Sequence, residues 1–307
     1  MKRLTRSLLI TITGLALLCA SETALACTSF AVGGPRPIFG MNFDYARFPM
    51  KLLLEDNGNL RTFHLAFERV IQGEPIFVTT GGMNSNGLFY ACQELHPQVR
   101  TLPPPREGDM PLYLLNTMVG RISTVNELNA VCAKVHLTQT PDVTCHTLFA
   151  DKTGAALVVE TDTEKNLLTP MTGPYLVMAN FASHGMKGKS YQEARGCGDD
   201  RYKVLCAYLE KNSNHFDVDH GLSALERAYN RNPAYPTSCS MVFAPRAAEV
   251  FLAFHRDFSK IWKVSLKAGT VETFRGFDTA VNQQIGKDGI LVSELLDAEA
   301  TATPPLQ

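Results

Sequence analysis

Apolar residues roughly alternate from Cys27 to Val32, as in a strand. Gly33-Gly34-Pro35 turns the chain, and Ile38 to Phe43 reads as the returning strand, which brings Asp44 back towards Cys27. Phe63–Phe67 and Ile76–Thr80 predict two more short strands. A turn dense in Gly and Asn, Gly81 to Gly87, then leads into a strand over Leu88–Cys92. Pro103-Pro104-Pro105 marks a surface loop. Pro111–Gly120 reads as helical, with proline in the first turn. Thr124-Val125-Asn126-Glu127 has capping-box form and opens a helix to about Val135.

Cys145–Ala150 and Ala155–Thr161, joined by Asp151-Lys152-Thr153-Gly154, form the clearest hairpin, and Tyr175–Ala179 is a strand ending on Asn180. Past a glycine-rich loop, Asp199-Asp200 should cap a helix over Arg201–Glu210, and a further helix covers His220–Tyr229. Strands return at Ser240–Ala244, Glu249–His255 and Ile261–Ser265, and the chain from about Asp297 reads as a frayed tail. Hairpins at both ends with helices between predict an α+β protein of two packed sheets covered by helices. There is no internal repeat and no βαβ alternation.

The first 26 residues follow a different pattern. Lys2, Arg3 and Arg6 precede a largely apolar run, Leu8 to Ala20, and Ala24-Leu25-Ala26 puts small residues where a signal peptidase reads. The run is too short for a permanent membrane span. The expectation is a signal peptide over 1–26, a single domain over 27–296, and a periplasmic or secreted protein. A lipoprotein is the competing reading, although Ala24 stands where its usual leucine would be.

Removing that segment leaves 26 Lys+Arg against 29 Asp+Glu, a net charge of about −3. Nucleic-acid binders usually carry a basic stripe, so no nucleic-acid partner is expected. With 45% hydrophobic residues in the whole chain, one large core is affordable. Seven cysteines remain: Cys27, Cys92, Cys132, Cys145, Cys197, Cys206 and Cys239. An odd number in an exported protein points to one free thiol, and reserving Cys27 leaves six for up to three disulfides whose pairing stays open. No C-x₂-C pair supports zinc.

Cleavage after Ala26 would make Cys27 the first residue, and a cysteine at a free N-terminus carries its own base. An α-amine titrates near ~8 and a thiol near ~8.5, so the amine can take the thiol proton around neutral pH. That is the chemistry of an N-terminal-nucleophile amidase, without cofactor or metal.

The motifs also resemble a family. Cys27-Thr28-Ser29-Phe30, Gly40-Met41-Asn42-Phe43-Asp44, Gly82 to Leu88, Thr124 to Leu128, Cys145 to Asp151 with Gly154 and Glu160, Val177 to Asn180, Asp200-Arg201-Tyr202 and Pro236 to Val242 occur in order. Over nearly the whole mature chain the sequence resembles the choloylglycine hydrolase group, which includes bile salt hydrolases and penicillin V acylases. The resemblance implies an N-terminal-nucleophile αββα sandwich of two antiparallel sheets flanked by helices. It implies Cys27 as nucleophile, Asp44 orienting the α-amine, Asn180 and the backbone N–H of Asn84 as oxyanion donors, and Arg201 as a site arginine. One departure is Met41, where bile salt hydrolases have an arginine; that removes a cation near the thiol and tells against conjugated bile salts.

Each of these residues also has a plain structural reading. Cys27 could join a disulfide, Asp44, Asn84 and Asn180 could end strands or fill turns, and Arg201 could be a solvated helix residue. His146, His184 and His255 could serve a chain-internal cysteine, but none sits in a protease-like signature and they read as structural. The expected function is hydrolysis of a small N-acyl amide, penicillin V-like, N-acyl homoserine lactone or bile-salt-like, through a thioester. The alternatives are acyl transfer to another amine, or a non-enzymatic, disulfide-bound exported binding protein. A homo-oligomer, dimer or tetramer, stays open.

Overall fold

The computed structural model describes residues 27–302 except 47, 72, 98–105, 140–143 and 163. The signal-peptide expectation and the Pro103–Pro105 loop therefore lie outside the described residues. Two antiparallel sheets of eight strands dominate. The first runs β12 (Tyr175–Ala179), β1 (Thr28–Val32), β2 (Ile38–Asp44), β13 (Thr237–Ala244), β14 (Glu249–Phe254), β15 (Ile261–Ser265), β16 (Thr270–Arg275) and β17 (Asn282–Gln284). The second runs β11 (Asn166–Pro170), β10 (Ala156–Thr161), β9 (Cys145–Ala150), β6 (Phe89–Glu94), β5 (Glu74–Asn84), β4 (Leu60–Ile71), β3 (Met50–Asn57) and β18 (Ile290–Leu291). A short parallel pair, β7 (Met110–Pro111) and β8 (Leu137–Thr138), lies apart.

The alternation along the strands sets the layers. Ala31, Phe39, Met41 and Met241 of the first sheet meet Phe63, Leu65, Met83, Phe89 and Leu148 of the second in a buried core, where Phe39 and Phe89 stack 5.4 Å apart. Fully burying one such side chain stabilises by about 1.5–3 kcal/mol. The other face of the first sheet, with Phe30, Val32, Val242 and Phe251, packs under α2 (Asp199–Asn212) and α3 (Val218–Arg227). The other face of the second sheet, with Tyr90, Phe149 and Val159, packs under the 3-10 helix Leu112–Gly120 and α1 (Val125–Cys132). The result is the four-layer αββα sandwich.

Several boundaries differ from the sequence reading. Strands β3, β11 and β16 were not expected, because half-exposed stretches such as Asn166–Pro170 give the pattern little contrast. The Asp199-Asp200 cap is a correction: Gly198 is the N-cap, and both aspartates lie inside the first turn, with Asp199 bound to Lys203 at 2.8 Å. The frayed tail is another over 297–302, while its remaining residues, 303–307, lie outside the described residues. Helix α4 (Val292–Ala302) carries the chain past Asp297, anchored by buried Val292 and Leu295 and by Lys260 Nζ, 2.8 Å from Glu299 Oε1. The Ala, Thr and Pro that end the chain read as a tail, while buried side chains in the first turn of the helix hold it. All seven cysteines are free thiols, so none of the expected disulfides is formed among the described residues, although Cys92, Cys132 and Cys145 share one cluster, with Cys92 and Cys145 in side-chain contact, and Cys27 and Cys239 share another.

Candidate active site

Four chain segments end together at one edge of the first sheet. The β1–β12 register pairs Thr28 with Ala179, which sets Cys27 beside Asn180. The β1–β2 register pairs Thr28 with Asn42, and the Cys27 thiol points to the carbonyl of Asp44, 4.0 Å away. Thr237, first residue of β13, pairs with Asp44. Arg201 reaches in from the first turn of α2, its Nε 3.2 Å from Thr28 Oγ1 and 3.8 Å from Asp44 Oδ2. Gly198 makes room for it: a Cβ there would lie 2.6 Å from Arg201 Nη2, and its φ of +79° suits only glycine comfortably.

Asp44 is completely buried, and its two oxygens are treated unequally. Oδ1 accepts the Thr237 hydroxyl, while Oδ2 has no hydrogen-bond donor. Burial raises the carboxyl to a pKa of about 7, against the opposing pull of Arg201 and Thr237. The Cys27 thiol, only 5% exposed, is pushed well up by burial and then by the charge of Asp44. A thiol in that setting is not a standing thiolate at neutral pH; it needs a base. While residues 1–26 are attached, the nitrogen beside it is an amide with no basicity to offer.

Asn180 is held by the second sheet. One hydrogen of its Nδ2 goes to the carbonyl of Glu94 at 2.7 Å, and its own carbonyl accepts the N–H of His96 at 2.6 Å. Its Oδ1 is buried without a partner. Glu94 and His96 are the contributors the sequence reading missed; their backbone does the holding, and a backbone role leaves no residue-type signal. Thr237 was part of a recognised motif but was given no role. Only the β2–β13 pairing shows that it serves Asp44.

Asn84 does not join this group. Its N–H donates to Leu88 O at 3.0 Å, its Nδ2 to Val119 O and Ile122 O, and its Oδ1 accepts from Asn86 and Leu88. It closes the β5–β6 turn, a strand length (about 17 Å by strand rise) from the end of β6 where Asn180 is bound. The expectation that its N–H is an oxyanion donor is therefore corrected: that N–H is already engaged. Met41 is fully buried and contacts the space above Gly81, where a Cβ would lie 2.7 Å from its sulfur, so a cation at this position would enter the core.

Of the histidines, His146 is buried on Glu160 at 3.0 Å, and His255 continues β14 past its end with its N–H on Ser238 O. Two surface clefts of about 520 and 560 Å³ gather around Glu55 and Asn57, and neither is lined by Cys27, Asp44, Asn180 or Arg201. Among the described residues no group of three or more His, Cys, Asp or Glu is placed to hold a metal, and no helix is long and apolar enough to cross a membrane.

The fold matches solved structures. Two variants of conjugated bile acid hydrolase from Clostridium perfringens superpose with TM-scores of 0.60 and 0.59, each at 15% identity and over 85% of this chain, covering 97% and 98% of theirs. Penicillin V acylase from Agrobacterium tumefaciens superposes with a TM-score of 0.56 at 15% identity, over 81% of this chain and 91% of its own. No family model and no curated protein matches by sequence. The chain thus has the N-terminal-nucleophile hydrolase fold of these enzymes.

Proposed function

We propose that the protein is exported, loses residues 1–26, and acts from Cys27 as an amidase on the linear C–N bond of a small N-acyl substrate. The observation that carries this reading is Asp44 Oδ2, a buried carboxylate oxygen beside Cys27 that lacks a donor. Burying a carboxylate with an empty acceptor is costly, and the N–H of a free, neutral α-amine on Cys27 is the donor that chain cleavage would supply, its lone pair left to take the thiol proton. Asp44 would then orient the amine and Arg201 would keep Asp44 ionised.

In that form the Cys27 sulfur gives its proton to the amine and attacks the acyl carbon. The carbonyl oxygen becomes an oxyanion, and the second hydrogen of Asn180 Nδ2 donates to it, a contribution of about 3 kcal/mol by the size of comparable donors. The ammonium passes its proton to the leaving nitrogen as the C–N bond breaks. Water, deprotonated by the same amine, then cleaves the thioester and releases the acid. Beside Asp44, Tyr45 packs on Phe67 (4.6 Å), Phe48 (5.4 Å) and Phe43 (5.6 Å), and Phe48 is 44% exposed. This aromatic surface supports an apolar acyl group, in keeping with penicillin V-like or N-acyl homoserine lactone amides; with Met41 in the core, conjugated bile salts are less well served.

The test is turnover of an N-acyl amide panel by protein whose N-terminus is verified as Cys27 by intact mass. We expect turnover that Cys27→Ser removes and that one retained residue before Cys27 abolishes while the protein stays folded, because a peptide nitrogen cannot accept the thiol proton. Full activity with the extra residue in place would sink the proposal, as would a lipidated cysteine in the active preparation.

A further inference from the structure

Glu160, on β10, is only 2% exposed, and nothing in the reaction above uses it. Its Oε1 accepts from Nδ1 of His146 at 3.0 Å and from the N–H of Ser183 at 2.7 Å; its Oε2 accepts the N–H of His184 at 2.7 Å. Because a carboxylate only accepts, the His146 proton facing it sits on Nδ1. Burial by itself would raise this carboxyl, but the bonds from His146, His184 and Ser183 outweigh it and hold the group below the ordinary glutamate value. Ser183 and His184 open the 3-10 turn Ser183–Met186, which starts three residues after Asn180. The carboxylate therefore ties the chain that follows Asn180 to the second sheet, through the two backbone N–H groups that the start of such a turn leaves without internal partners.

We propose that Glu160 is a positioning residue: it docks the 181–184 segment on β10 and so keeps the Asn180 carboxamide in line with Cys27, while His146 fixes the carboxylate's orientation. The proposal rests on the reading of Asn180 as the oxyanion donor. Asn180 is already held on one side by Glu94 and His96, and Glu160 supplies the hold on its other side. Without it the amide is free to swing about those two bonds. A displacement of ~1 Å at a reacting centre can cost about 100-fold, whereas a merely structural carboxylate would change stability alone.

A double-mutant cycle separates the two cases. Glu160→Gln keeps one acceptor but turns an NH₂ towards a backbone donor. Ser183→Pro deletes a single N–H at the first position of the turn, and Ala182 before it already has φ −61°, ψ 112°, the extended conformation that precedes proline. Each variant is made in the natural protein and in Asn180→Ala, in cleaved form, and assayed for kcat and KM on an N-acyl amide and for alkylation of Cys27 by iodoacetamide. In the natural background we expect amide kcat to fall by about 10-fold or more with KM and alkylation little changed. In Asn180→Ala the same changes should add less than about 2-fold, because the group they act through is gone. Equal losses in both backgrounds, or Ser183→Pro at full turnover, would overturn the proposal, and Ser183→Pro decides alone if Glu160→Gln does not fold. If Asn180→Ala keeps its amide turnover, the role of Asn180 fails first and the positioning role falls with it.

Discussion

Asn84 and Asn180 are both buried asparagines at the ends of strands, yet they sit in opposite kinds of surroundings. Around Asn84 every polar atom finds a partner within the same turn and the neighbouring 3-10 helix. Around Asn180 the partners run out. Its Oδ1 has none, and Oδ2 of nearby Asp44 accepts no hydrogen bond, with only the charge of Arg201 Nε 3.8 Å away. Other buried polar atoms, such as Thr62 Oγ1 and His146 Nε2, also lack a partner, and it is the closeness of this pair to the Cys27 thiol that supports the proposed site. The saturated turn builds the fold, and the unsaturated edge is available for chemistry. A residue type alone does not tell the two apart.

The contrast can be broken first at Asp44, where the largest effect is expected. Its carboxyl is raised from 3.8 to about 7. Between those values the unfolded chain has released the proton that the folded one retains, so stability falls as pH rises from about 4 to 7 and levels off above. The full effect in protein that still carries residues 1–26 is at most on the order of 4 kcal/mol. Asp44→Asn should flatten that slope, and removal of residues 1–26 should reduce it, because the ammonium then favours the charged form. Thermal melts across pH check this; a flat profile for the uncleaved natural protein would contradict the account of Asp44.

The asparagines themselves come next. Asn180→Ala should cost about 100-fold or more in amide turnover, with the protein still folded and still acylated by a reactive ester. Asn84→Ala should do the reverse. It strips partners from the N–H groups of Asn86 and Leu88 and from the carbonyls of Val119 and Ile122, for a loss of about 2–4 kcal/mol in denaturant unfolding, while turnover per folded molecule holds. Loss of turnover in Asn84→Ala without loss of stability would return it to the mechanism. The smallest effect belongs to Thr237→Val, which removes the hydroxyl from Asp44 Oδ1. We expect about 1–2 kcal/mol of destabilisation, and a midpoint of the Asp44 titration shifted upward.

Much of the fold was legible before any coordinates. Alternation from Cys27 to Val32 and the Gly33-Gly34-Pro35 turn before Ile38–Phe43 predicted the hairpin, and Thr124 caps α1 as its motif implied, with its side chain accepting from the N–H of Glu127 at 3.2 Å. The site was legible in part. The structure brings Cys27, Asp44, Asn180 and Arg201 to one place and leaves Asn84 apart. Glu94 and His96 left no trace in the sequence because they act through the main chain, and Glu160 drew notice as part of a motif without a task.

The sequence by itself determined which segments alternate, where turns fall and which residue types could carry a nucleophile and its base, because these follow from local propensity and from the period of side chains along a strand. Only the tertiary structure decided which asparagine remained unsatisfied and which carboxylate was buried beside the thiol. Hydrogen-bond capacity is shared among groups far apart in the chain: Asp44 with Thr237 and Arg201, Asn180 with Glu94, Glu160 with Ser183 and His184. Whether such a group is spare or engaged depends on all its neighbours at once, and those neighbours are brought together by packing one sheet on the other.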